Sequence, residues 1–385
     1  MSDHTYIFHR PDLATTYCEG LRGTGPLNFR SGLFLAGPRR IGKSTFIQAD
    51  LVPCIQSRKW IPLLIDFWAD TKSDPEILVR KAIMIEIEKH GGLFGKISKK
   101  AGVSLKKVSI KKGPLEAELA PREEALHEET IPELLQDLYA RTKKPIVLIL
   151  DEAQYLLSQE TGDDLLFALK AARDGINLGA EVPQLMFVFT GSDRDKLSEL
   201  IQKKTQAFYG AHLETFPYLG TEFIQSYTDR INSQKKHHKF DSTSVMEAFS
   251  ILKYRPEALF NAVGRVLTRG MGTDLNRELL EAAKIEKKLA IDAMDREVNG
   301  LNDLPKAILL VCIKKEMQGE KYNPFAKDTM EEYSKHYGNK PKVPRVQQAL
   351  DRLRKQGLLW KTRYGTYAIE DDILEDWYTE KFGKP

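Results

Sequence analysis

The sequence predicts an α/β core, with a parallel sheet between helix layers, followed by an all-helical region and a small C-terminal unit of three helices and a hairpin. Three observations carry this expectation. Four apolar runs of about strand length, LFLA at 33, WIPLLIDFW at 60, IVLIL at 146 and LMFVF at 185, alternate with helical patterns through the first half of the chain. Their apolar character is continuous rather than alternating, as expected of strands covered on both faces in a parallel sheet. After about residue 219 such runs cease and helical patterns take over.

Size and composition fit this plan. The 385 residues, 42% of them hydrophobic, are enough for two or three domains with sizeable cores. The expected division is 1–218 for the α/β core, 219–299 for a helical lid with its connecting helix, and 300–385 for the C-terminal unit. Lys plus Arg number 58 against 54 Asp plus Glu, and a net charge of +4 is too mild to name a partner unless the charges cluster. Cys18, Cys54 and Cys312 are odd in number and far apart, which offers neither a disulfide framework nor a CxxC metal site and fits a reducing cytosol. The histidines show no HExxH spacing, and His237 and His238 read as polar loop residues. The opening MSDHTYIFHRPDL lacks the blocks of a signal peptide and the longest apolar runs are too short to span a bilayer. A cytoplasmic protein without membrane segments is expected.

LFLA runs directly into Gly37-Pro38-Arg39-Arg40-Ile41-Gly42-Lys43-Ser44, and Thr45 opens a helical pattern behind it. This is the GxxxxGK[ST] spacing of a phosphate-binding loop. Gly37 lets the chain leave the strand, and Gly42 lets backbone N–H groups approach phosphate oxygens without a Cβ in the way. Lys43 reaches the β and γ phosphates, Ser44 offers its hydroxyl to Mg²⁺, and the helix N-terminus directs partial positive charge at the anion.

After the second strand the pattern lapses between Gly92 and Gly113, where seven lysines (96, 99, 100, 106, 107, 111 and 112) surround the alternating VSLKKVSIKK. It reads as an exposed hairpin or insertion, either a solvated charge run or the lining of a polynucleotide track. An acidic stretch from Glu116 to Glu129 leads into the helix TIPELLQDLYART, capped by Thr130 with Pro132 in its first turn. The third strand ends in Asp151 and Glu152. Asp151 supplies the carboxylate for a Mg²⁺ shell, and Glu152, one residue beyond the strand, is placed to polarise an attacking water. The fourth strand ends in Thr190, Gly191 and Ser192, and a hydroxyl from Thr190 or Ser192 belongs between the carboxylates and the γ phosphate.

Helical patterns follow at 221–233, 242–252, 256–268 and 274–298. From Leu304 the order helix, helix, helix, LLWK, a TRYG turn, TYAI and an acidic helix is a winged-helix outline. Its third helix, VPRVQQALDRLRKQG, sets Val346, Leu350 and Leu353 on one face and turns Arg345, Gln348, Arg352 and Lys355 elsewhere, as a groove-reading helix does. Gly357 closes it. With Lys361 and Arg363 in the hairpin, residues 340–363 hold eight basic side chains against the single acid Asp351, a local balance of +7. Such a cluster is the electrostatic footprint of a duplex-binding surface. Winged helices also dock proteins, and the acids Glu370, Asp371, Asp372, Glu375, Asp376 and Glu380 of the next helix are an alternative partner for that basic face.

GPRRIGKST, LILDEAQYL, FTGSD and KYRPEAL, in that order over roughly residues 5–268, resemble the AAA+ superfamily, within it the archaeal-type ATPases of the STAND class and the origin-recognition-like ATPases. The resemblance implies ATP and Mg²⁺ as cofactors and a homo-oligomer with nucleotide at subunit interfaces. It also implies a lid-helix arginine at the γ phosphate, which falls on Arg255, though Arg255 equally reads as a residue before a helix starting at Pro256. A trans-acting arginine finger falls on Arg173 or Arg194. Arg39 and Arg40 look like the paired arginines of archaeal-type loops, contacting nucleotide or a neighbouring subunit, and YIFHRPDL resembles the segment that packs against adenine. Two functions are open at this point: an ATPase that engages double-stranded DNA through the winged helix, or a STAND-like nucleotide-switched sensor whose winged helix binds an effector protein.

Overall fold

The computed structural model describes residues 6–90, 129–192, 194–202, 204–233, 239–268, 274–363 and 366–385, without the side chains of 194–196 and 360–363. The lysine-rich run at 96–112 and the acids before Glu129 lie outside the described residues, as do His237 and His238. The chain forms two compact units, one of His9–Pro38 with Lys43–Pro217, the other of Met1–Phe8, Arg39–Gly42 and Tyr218–Pro385.

The first unit is built on β1 (Leu33–Ala36), β2 (Ile61–Asp66), β3 (Ile146–Asp151), β4 (Leu185–Gly191) and β5 (His212–Thr215). They pair in the order β2-β3-β4-β1-β5, every neighbouring pair parallel. All residues of β1, β3 and β4 are buried, as continuous apolar runs require. The second run departs from the expectation. Ile61, Leu63 and Ile65 are buried while Leu64 and Asp66 are exposed, because β2 is an edge strand with one face only partly covered. The fifth strand, HLET, carries too little apolar signal to be read from sequence and is held on the opposite edge by pairing with β1.

Helices α1 (Pro11–Arg22), α2 (Lys43–Phe46), α3 (Val52–Ser57), α4 (Pro75–Lys89), α5 (Ile131–Thr142), α6 (Gly162–Asn177) and α7 (Arg194–Glu199) connect and flank the strands, with a π turn at Ile47–Leu51 joining α2 to α3. Asp74 caps α4, and Thr130 with Glu133 forms a reciprocal capping box on α5. In the core, Phe34 stacks on Phe189 with ring centroids 4.3 Å apart, and Phe208 packs edge-on to Phe187 and Phe189. Each such ring contributes about 1.5–3 kcal/mol by burial.

The second unit contains α8 (Thr221–Ser233), α9 (Ser242–Ile251), α10 (Pro256–Thr268) and α11 (Leu275–Asn299), then α12 (Asp303–Met317), α13 (Lys327–Tyr337), α14 (Val343–Lys355), the antiparallel pair β6 (Leu359–Arg363) and β7 (Thr366–Ile369), and α15 (Ile373–Phe382). Two cores share α11. Its first half joins Phe223, Phe249 and Val263, and its second half, through Ile291 and Val298, joins Tyr333, Leu350, Leu353 and Trp377. No helix among the described residues is long and apolar enough to cross a membrane.

Candidate functional site

Placing β1 beside β4, and β4 beside β3, brings the carboxyl ends of three strands together, where open parallel sheets bind ligands. Gly37 N–H, one residue past β1, donates to Gly191 O at the end of β4 over 3.1 Å. Lys43 opens α2 and is 5% exposed; its Nζ donates to Gly37 O at 3.0 Å and to Gly191 O at 2.6 Å. The ammonium thus lies between the loop's first residue and the end of β4. Gly42 has φ +93°, a backbone region that side chains rarely adopt, which explains glycine there. Ile41 is buried, whereas Pro38, Arg40 and Thr45 are exposed.

Asp151 accepts three hydrogen bonds. Ser44 Oγ donates to Oδ2 at 2.9 Å, while Thr190 Oγ1 and the Glu152 N–H, the latter at 3.1 Å, donate to Oδ1. Two neighbouring vertices of a Mg²⁺ octahedron with bonds of about 2.0–2.1 Å lie about 2.9 Å apart. The separation of Ser44 Oγ from Asp151 Oδ2 matches that edge, and both donors are the hard oxygens magnesium prefers, so the residues present fit the ion.

Of the two candidate hydroxyls, Thr190 is fully buried on Asp151, and Ser192 takes a different partner. Glu152 has φ +56°, which turns the chain out of β3 into a 3₁₀ turn at Ala153–Ser158. Gln154 in that turn donates through Nε2 to Glu152 Oε2 and to Ser192 Oγ. Sequence reasoning passed over Gln154; its only signal was an amide two residues after the paired acids, at the start of an otherwise apolar turn.

The remaining candidates lie as follows. Arg173 donates to Ser31 O at 2.8 Å and to Asp174, with its guanidinium over the Phe208 ring, so it is engaged within its own unit. Arg194 begins α7, but its side chain is outside the described residues. In the second unit Arg39 pairs with Glu370, and Arg255 donates to Asp371 at 3.0 Å and to Asp372. Burial works to raise both carboxyls of that pair. Hydrogen bonds from Asp372 and the Ile373 N–H, with the Arg255 charge, bring Asp371 below its ordinary value, while Asp372 lies above.

The α15 acids do not turn to the basic helix. Asp376 pairs with Lys253 at 2.9 Å and with Lys287 at 3.1 Å, and Glu380 pairs with Lys288. On α14 the residues Val346, Ala349, Leu350 and Leu353 are buried and Arg345, Gln348, Arg352 and Lys355 are exposed, the partition that helical spacing predicts. Arg345, Arg352 and Lys355 take part in no ion pair among the described residues. The side chains of Lys361 and Arg363 are outside the described residues.

No protein-family model and no curated protein matches the chain. Solved structures do. The Walker-type ATPase PABY2304 of Pyrococcus abyssi is 20% identical, with a TM-score of 0.51 over 97% of this chain and 96% of its own. The Aeropyrum pernix ORC2 protein, in ADPNP–ADP complexes, is 13% identical, with a TM-score of 0.52 over 99% of this chain and 97% of its own. The likeness to both is one of fold.

Proposed function

We propose that the chain is an ATPase that binds Mg-ATP at the 37–45 loop, hydrolyses it as a homo-oligomer with nucleotide at subunit interfaces, and couples this to double-stranded DNA through a C-terminal winged helix. The observation that carries the reading is the gathering at the ends of three adjacent strands of Lys43, which donates to Gly37 O and Gly191 O, and of Asp151, which accepts from Ser44 and Thr190. Lys43 neutralises the β and γ phosphates; Ser44 and Asp151 hold Mg²⁺, which when bound offsets charge on the phosphoryl oxygens. Glu152 orients the attacking water. With Arg173 engaged at Ser31 and Asp174, Arg194 is the remaining candidate for the arginine finger. The ADPNP–ADP complexes of the ORC2 protein, which shares the fold, support nucleotide binding by this chain.

The DNA half of the proposal rests on the exposed cations of α14 and on acids that pair elsewhere, so the basic face keeps its field. One observation favours the second reading, a nucleotide-switched sensor with an effector-binding C-terminal unit: Arg255 is held by Asp371 and Asp372. ATP turnover measured with and without duplex, with particle size followed in parallel, separates the two. The DNA-coupled ATPase predicts stimulation that falls steeply with salt, and the sensor predicts none. Lys43→Ala should abolish nucleotide binding and Glu152→Gln should bind ATP without hydrolysing it. Undiminished turnover in both variants contradicts either reading.

A further inference from the structure

The proposed chemistry gives no work to the side chain lying between Glu152 and Ser192. Gln154 is 8% exposed, and its carboxamide NH₂ has two hydrogens to give. One goes to Glu152 Oε2 and the other to Ser192 Oγ, 3.1 Å away. Its carbonyl oxygen is buried with no hydrogen-bond partner among the described residues. Charge fixes the amide's orientation, because turning it over would set that carbonyl against the Glu152 carboxylate. Gly191 completes the arrangement: a Cβ there would stand 2.6 Å from Gln154 Oε1.

A residue kept for packing alone would not carry an orphan carbonyl, since leucine fills nearly the same space and leaves no buried polar atom unpaired. The two donated hydrogens define a different task. The bond to Glu152 Oε2 fixes the carboxylate's orientation and leaves Oε1 with both of its acceptor sites for water. The Ser192 oxygen is occupied as an acceptor, so its own proton is left for another group. On the ATPase reading above, we propose that Gln154 is a positioning residue that ties the Glu152 carboxylate to the Ser192 hydroxyl through one carboxamide, so that the two are aimed together.

The test uses the full chain and the variants Gln154→Leu, Ser192→Ala and the double substitution. It reads kcat and KM for ATP, affinity for a fluorescent ATP analogue, and thermal unfolding. Gln154→Leu should melt no lower than wild type, bind the analogue unchanged and lose about 10²-fold in kcat, the scale on which a misplaced catalytic group is felt. The double variant should be no slower than Gln154→Leu alone, because both substitutions cut one linkage. Gln154→Met gives the same readings if the leucine variant does not fold. Retained kcat in Gln154→Leu, loss of affinity and melting temperature together with kcat, or losses that multiply in the double variant would each overturn the proposal while the wild type still hydrolyses ATP. A wild type without turnover overturns the ATPase reading and this one with it.

Discussion

Asp151 is the side chain on which most of the site converges. Its two oxygens take hydrogen bonds from Ser44, Thr190 and the Glu152 amide, and 6% exposure leaves little water to replace any of them. Thr190 is buried completely, so Thr190→Val keeps the shape and removes one donor from a buried carboxylate. Hydrogen bonds to charged groups contribute about 1.5–3 kcal/mol, and urea unfolding of Thr190→Val should show a loss of that size. Lys43, Ser44 and Asp151 were legible in the sequence because a local spacing, or the last polar residue of an apolar run, encodes each. The different partners of Thr190 and Ser192, Asp151 for the one and Gln154 for the other, were not legible there. Gln154 and Ser192 lie 38 residues apart, and only the pairing of β3 with β4 brings them together. Arg173 likewise reads as an arginine-finger candidate, and its acceptor Ser31, 142 residues away, is not visible in the sequence.

Secondary elements were legible where burial and caps are local. The helix at Ile131–Thr142 begins where Thr130 signals it, with the Thr130 N–H and hydroxyl both on Glu133 Oε2, at 2.7 and 2.8 Å. Thr130→Ala should cost about 1 kcal/mol, the usual loss for an N-cap, measured as a shift of the denaturant midpoint at constant slope. β1, β3 and β4 declared themselves because both their faces are covered. β2 has an equally apolar sequence, yet Leu64 faces outward, because nothing in a run of apolar residues says that the strand lies at the edge. β5 is short and half polar, and its existence depends on its neighbour β1 rather than on its own side chains.

At the scale of the molecule, strand order is the property that makes the site and the one least visible in the chain. The strands lie as β2-β3-β4-β1-β5, so the hydroxyl of Ser44, a carboxylate at 151 and a hydroxyl at 190 meet although the sequence separates them widely. The charge distribution is also a whole-chain property. A net charge of +4 conceals acids just before α15 that pair with Arg39 and Arg255, α15 acids that pair with Lys253, Lys287 and Lys288, and a basic α14 surface outside those pairs. The central claim remains that Lys43, Ser44 and Asp151 grip a magnesium-bound triphosphate. Calorimetric titration of ATP into wild type, Lys43→Ala and Ser44→Ala, with Mg²⁺ and with chelator, tests it most directly. Wild type should bind more tightly with Mg²⁺, Ser44→Ala should lose most of that metal dependence, and Lys43→Ala should not bind. Equal binding by wild type and Lys43→Ala would contradict the account.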